Sequence, residues 1–207
     1  MNSRRSVKLR RGLLLVFLGL LAAPALAHLP IPPKKGEVGK KAVQSVVPDF
    51  ILVDQDGKPF RFAETRGKLI LLTFVFTACP DVCPLLTAKF AAIQRALDQQ
   101  KRNDYLLLSI TTDPERDSSG ALKAYAERYK ADFRHWLFLT GTRKELEKVW
   151  NGFGVAVRKS SGGEIQHTSL TTLIDQQGVR RIDYYTDKWQ EREILKDIAS
   201  LPPPRKQ

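Results

Sequence analysis

"KLILLTFVFTACPDVCP", residues 68–84, decides how this chain is read. Its first half, Lys68 to Phe76, is after the opening lysine a run of aliphatic and aromatic side chains interrupted by one Thr, the pattern of a strand buried on both faces. Its second half breaks at once into a loop holding two prolines and both cysteines of the chain, Cys79 and Cys83. Immediately downstream, Leu85, Leu86, Phe90, Ile93 and Leu97 recur at three- and four-residue steps and predict one apolar helix face. The cysteine pair therefore falls between the end of a central strand and the start of a helix.

That position has a chemical consequence. Backbone N–H groups and the macrodipole at a helix amino terminus favour negative charge, which lowers a thiol's pKa toward the thiolate. The thiolate is both the nucleophile and the metal ligand. A two-residue spacer is the usual redox spacing; here three residues intervene, placing the cysteines about one helical turn apart with both sulfurs on one side. Such a pair suits two thiolates converging on a soft cation and still permits a disulfide after local adjustment. A purely structural bridge would close a very small loop, the kind that constrains an unfolded chain least.

Outward from this centre, strand and helix patterns alternate. "VPDFILVDQDGKPFRF" (47–62) reads as a hairpin around Asp56-Gly57. "YLLLSITTD" (105–113) is a second buried strand, "GALKAYAERYK" (120–130) a helix, "HWLFLTG" (135–141) a strand and "TRKELEKVWNGF" (142–153) a helix. "SLTTLID" and "RRIDYY" follow as two strands about a Gln176-Gln177-Gly178 turn, and a last helix of about 190–201 ends at Pro202-Pro203-Pro204. The order predicts an α/β fold: a central mixed sheet, helices on both faces, a terminal antiparallel hairpin and an extra amino-terminal β-hairpin. Reactive groups gather at the carboxyl ends of strands in such sheets. Cys79 and Asp113 both fall at such ends.

Length and composition set the frame. A chain of 207 residues with 43% apolar and 27% charged side chains suits one domain with a full core. Residues 1–27 carry five basic residues and no acid, then an uncharged apolar stretch from Gly12 closing on Ala25-Leu26-Ala27, the order of a signal peptide. The competing reading is an uncleaved membrane anchor over residues 12–27. Residues 28–46, with prolines, glycines and lysines but no period, read as a linker, and the domain proper as 47–207. The net charge of +12 falls to +7 without the leader, since five of the 34 basic residues precede Gly12 and all 22 acids follow it. An exported chain without aromatic-basic recognition motifs points away from nucleic acid.

Two thiolates from one loop make an incomplete metal site, so a third donor is needed. Three histidines are available. His28 stands in the Pro-rich arm, and His135 opens a strand as a packing residue. His167, in "GGEIQHTSLTTLID", stands just before a strand and after a Gly162-Gly163 loop, where it can be presented to a neighbouring strand end. Two thiolates and an imidazole suit Cu(I). Zinc would want a fourth ligand, for which Asp81 and Asp113 are candidates.

"FTACPDVCP", "TTDPERD" and "IQHTSLTTLIDQQG", preceded by "PDFILVDQDGKPF", together resemble the Sco/SenC family of copper-binding proteins. The resemblance runs from about Pro48 to the last helix. It implies a thioredoxin-like fold with an inserted hairpin, copper held as Cu(I) or Cu(II) by Cys79, Cys83 and His167, and Asp113 and Asp81 near the metal or the docking face. It implies a metallochaperone, periplasmic or anchored in the inner membrane facing the periplasm. Its partners would be cytochrome c oxidase subunit II or another copper acceptor, together with a copper donor chaperone. The alternative is a thiol-disulfide oxidoreductase in which Cys79 and Cys83 are the redox pair and no copper is transferred. A weaker alternative, a peroxidase, rests on Thr-x-Cys after a strand.

Overall fold

A computed structural model describes residues 39–201. The segments 1–27 and 28–38, with the leader, most of the linker and His28, lie outside the described residues, as do 202–207. Two unbroken apolar strands fix the centre: β4 (Leu69–Val75) and β5 (Tyr105–Thr111), every residue of both buried. They pair in parallel from Leu69↔Tyr105 to Val75↔Thr111. Because side chains alternate across a strand, each supplies both faces of the sheet. β6 (Trp136–Leu139) extends the sheet in parallel beyond β5. On the other flank β9 (Leu170–Ile174) and β10 (Val179–Tyr185) run antiparallel, and β1 (Lys40–Val46) closes the edge, giving the order β1-β10-β9-β4-β5-β6.

The two faces are covered by different elements. Ile70, Leu72 and Phe74 of β4, with Leu106, Leu108 and Ile110 of β5, pack against Leu146, Val149, Trp150 and Phe153 of α3 (Arg143–Phe153). The hairpin of β2 (Ile51–Val53) and β3 (Pro59–Arg61) joins that layer through Leu52 and Phe60. Leu69, Leu71, Tyr105 and Leu107 face the opposite core. There they meet α1 (Val82–Gln99), α2 (Ser119–Arg128) and α4 (Glu191–Ser200) through Phe90, Ile93, Tyr125 and Ile194. The expected mixed sheet with helices on both faces is what forms.

Three expectations need correction. Within the stretch read as a linker, 28–46, Lys40 to Val46 form an edge strand paired with β10. Its side chains are almost all exposed, so the strand is held by backbone pairing and carries no apolar alternation to announce it. Leu85 is 46% exposed and lies off the buried stripe of α1, which passes through Cys83, Leu86, Thr87 and Phe90. Finally, the stretch before β9 is a second small hairpin, β7 (Val157–Lys159) with β8 (Ile165–His167). His167 thus closes a short strand of its own.

Candidate metal centre

The carboxyl ends of β4 and β5 build one side of the site. Strand β4 stops at Val75, the chain turns so that the Cys79 N–H donates to the Phe76 carbonyl at 3.2 Å, and α1 starts at Val82. Pro80 disfavours helical backbone at the residue before it, so Cys79 stays outside the helix while Cys83 sits in its first turn. The two cysteines are therefore not one helical turn apart on a common helix, as the spacing suggested. Pro84, also in the first turn, loses no helix hydrogen bond there.

Cys79 instead takes the place of a helix cap. Asp81, at the cap position, makes no side-chain cap hydrogen bond, and the Cys83 backbone N–H points at Cys79 Sγ at 3.5 Å. Both cysteines are free thiols, Cys79 half-buried and Cys83 buried. The Cys83 thiol donating to Cys79 brings the Cys79 pKa down to about 6, with help from the N–H groups of Cys83, Asp81 and Val82 and against the effect of burial. The same shared proton pushes Cys83 up, and its burial adds to this. One sulfur is a ready thiolate and the other a retained thiol.

The second side comes from the β7–β8 hairpin. His167 is 8% exposed and packs edge-on against Phe76, ring centroids 5.9 Å apart. Its Nδ1 stands 2.9 Å from the Thr168 carbonyl. A carbonyl only accepts, so Nδ1 carries the proton and Nε2 keeps its lone pair for a ligand. Burial lowers the His167 pKa, which favours the neutral, ligating form.

Cys79, Cys83 and His167 line one small cleft of about 30 Å³, with Asp81, Phe76, Leu86 and Ser169. The buried Oγ of Ser169 has no hydrogen-bond partner. The donor set fits a soft cation: one thiolate, one thiol that a metal can deprotonate, and one neutral imidazole. Among the described residues no group of three or more His, Cys, Asp or Glu is already drawn into a metal-holding cluster. The three side chains share a cleft without forming such a cluster.

The acidic candidates separate. Asp81 lines the cleft; Asp113 does not. Asp113 is fully buried beneath the loop after β5, its Oδ2 2.7 Å from Arg116 Nε at an angle that leaves neither oxygen a well-formed hydrogen bond. Burial raises its pKa and the Arg116 charge opposes that. His135 packs flat on Tyr105 with ring centroids 4.8 Å apart, away from the site. Sequence reasoning missed Asp117. Its fully buried carboxylate accepts the Thr77 hydroxyl and the Thr111 hydroxyl, each at 2.5 Å, and the Thr77 N–H at 3.2 Å. It ties the cysteine loop to the end of β5. The closing acid of "DPERD" was its only signal.

A strand-end thiolate capping a helix, on a mixed sheet flanked by helices, with a buried histidine on the same cleft, defines a thioredoxin-like thiol protein. More narrowly, the chain belongs to the SCO1/SenC family, whose sequence profile matches residues 38–202. The SCO2-like protein of Rickettsia felis is 35% identical over 153 residues, which span 71% of this chain and 72% of that relative. Among solved structures, Bradyrhizobium japonicum ScoI with copper bound is 29% identical, with a TM-score of 0.65 over 75% of this chain and 98% of its own. BsSco is 30% identical, with a TM-score of 0.68 over 77% of this chain and 95% of its own. BsSco is a member of the Sco family of cytochrome c oxidase assembly proteins, and a disulfide switch has been identified in it.

Proposed function

We propose that this chain is a copper carrier of an exported compartment, holding the metal through Cys79, Cys83 and His167. It delivers copper to a cytochrome c oxidase acceptor, subunit II, or reduces the cysteines of that acceptor. The observation that carries the reading is the shared cleft, in which two sulfurs of unequal acidity stand with a histidine whose Nε2 is free. Copper in the Bradyrhizobium relative supports the metal, and the role of BsSco supports the assembly pathway. Periplasmic localisation, with cleavage or anchoring of residues 1–27, follows from the leader's composition. No helix among the described residues is long and apolar enough to cross a membrane.

The test is reconstitution of the reduced protein with Cu(I), compared with His167→Ala. Loss of the imidazole should weaken binding about tenfold or more, in line with the loss of one ligand-strength contact. Equal Cu(I) affinity of the two proteins would refute the three-donor site.

One observation favours a second reading, thiol-disulfide exchange without copper transfer. A Cys79 thiolate beside a buried Cys83 thiol is the arrangement of an attacking and a resolving cysteine. Cys79 would attack a partner disulfide and release one partner thiolate. Cys83 would then displace the second, leaving a Cys79–Cys83 disulfide and a partner reduced by two electrons. Cysteine-dependent turnover by the copper-free protein would support it.

A further inference from the structure

The two halves of the cleft come from segments far apart in sequence, and one pentapeptide touches both. Asp113 to Asp117 leaves the end of β5. Asp117 holds Thr77 of the cysteine loop, as described. Arg116, the residue before it, donates from Nη2 to the Gly163 carbonyl. Gly163 forms the tip of the β7–β8 hairpin, with φ of +81°, and its N–H donates to the Ser160 carbonyl at 3.0 Å. That hairpin carries His167 at its far end, paired with Val157.

We propose that Arg116 is a positioning residue that sets how far the hairpin, and with it His167, stands from the cysteine loop. The inference rests on His167 being a copper ligand. Arg116 can act as a fixed post because its Nε pairs at 2.7 Å with Asp113, a carboxylate wholly removed from solvent. Arg116 is the cation that offsets this buried charge, and losing it would leave the carboxylate buried without a counter-ion, a costly state. The planar fork of the guanidinium lets one edge face Asp113 while another reaches the hairpin carbonyl. Asp117 and Arg116 thus hang both walls of the cleft from one rigid strand end. The hairpin is anchored at its base, where Ile165 and Val157 pack with Val75, Phe76 and Cys83, Val157 also touches the core beneath α3, and the Thr168 N–H donates to the Ala156 carbonyl at 3.0 Å. The Arg116 contact is at the opposite end, so it governs the tilt of the hairpin about that base and with it the place of His167.

Arg116→Lys is the informative variant, because it keeps a cation beside Asp113 and so protects the fold, but a single ammonium lacks the fork. Copper affinity of the reduced full chain should fall about tenfold, which corresponds to about 1.4 kcal/mol. Amide exchange over Lys159 to His167 in the copper-free protein should quicken. In a His167→Ala background the same substitution should change copper affinity less than about twofold, since the tether then has no ligand to place. Asp113→Asn, which releases the post, should quicken exchange in the same hairpin. An equal loss of affinity in both backgrounds would mean general destabilisation and overturn the proposal, as would unchanged hairpin exchange in Arg116→Lys. If His167→Ala alone leaves affinity intact, the copper reading fails, while the exchange measurement still decides whether Arg116 holds the hairpin.

Discussion

Replacing Asp117 with Ala removes a buried acceptor on which three donors converge, and the cost can be worked out contact by contact. The Thr77 and Thr111 hydroxyls each donate at 2.5 Å, and the Thr77 N–H, shared between both oxygens at 3.3 and 3.2 Å, is the weaker contact. A hydrogen bond to a charged group is worth roughly 1.5–3 kcal/mol net, so the two short contacts set an upper range of about 3–6 kcal/mol. The two hydroxyls can rotate toward neighbouring carbonyls, and removing the charge also relieves its desolvation, so we expect about 3 kcal/mol. In a chain of this length that is a fall in Tm of about 6–12 °C. Asp117→Asn keeps one acceptor oxygen and should lose about half as much. Urea unfolding followed by far-ultraviolet circular dichroism measures the difference, provided the m-value is unchanged. The local consequence is read separately: with Thr77 released, the cysteine loop loosens and the Cys79 N–H should exchange faster. A loss below about 1 kcal/mol for the Ala variant, or an Asn variant as damaged as the Ala, would refute the idea that this carboxylate anchors the loop.

Two further expectations concern pH. With the Cys79 pKa near 6, its alkylation by iodoacetamide should be nearly flat above pH 7 and fall as pH drops through 6, while Cys83 stays unmodified at neutral pH. Cys83→Ala, which removes the donating thiol, should move the midpoint upward; an unmoved midpoint would show that the backbone N–H groups alone acidify Cys79. For copper binding, Cys79 is already a thiolate at pH 7 and burial keeps His167 neutral, so Cu(I) uptake should release about one proton, from Cys83. At pH 5 the count should approach two, because Cys79 is then protonated as well; calorimetry in buffers of different ionisation enthalpy counts them.

The core strands were legible because β4 and β5 are buried on both faces and leave no polar alternation to confuse the reading. β1, β7 and β8 were not, and for a common reason: all three are short or exposed strands held by backbone pairing, with sequences such as "VRK" and "KKAVQSV" that carry no apolar period. The face of α1 was read correctly at Leu86, Phe90, Ile93 and Leu97 and wrongly extended to Leu85, while the polar members of its buried stripe were passed over. Thr87 lies in that stripe, its hydroxyl donating to the Cys83 carbonyl at 2.7 Å and meeting the Tyr125 hydroxyl at 2.8 Å. Gln94 also lies in it, exchanging hydrogen bonds with the Asp132 backbone. A hydrophobic count cannot see satisfied polar groups in a core, and it placed exposed Leu85 there instead.

At the site, the cysteine pair and the strand-end position were readable locally, but the work done by "DPERD" was not, because each of its contacts reaches across the fold. Asp117 answers Thr77 and Arg116 answers Gly163, and nothing in a single sequence links those positions. The spacing of the cysteines gains its physical meaning from this arrangement. With Pro80 keeping Cys79 out of the helix, the residues that follow let the chain complete its turn, so that Cys79 caps α1 from outside while Cys83 enters the first turn facing Phe76 and Ile165. The pair divides the charge, one thiolate in the cleft and one thiol in the apolar wall. Closing this pair into a disulfide would pass two electrons to an external oxidant and release the Cys83 proton, whereas a soft cation bound to both sulfurs would release that proton with no change of oxidation state at sulfur. Metal loading and oxidation would therefore compete for the same two sulfurs.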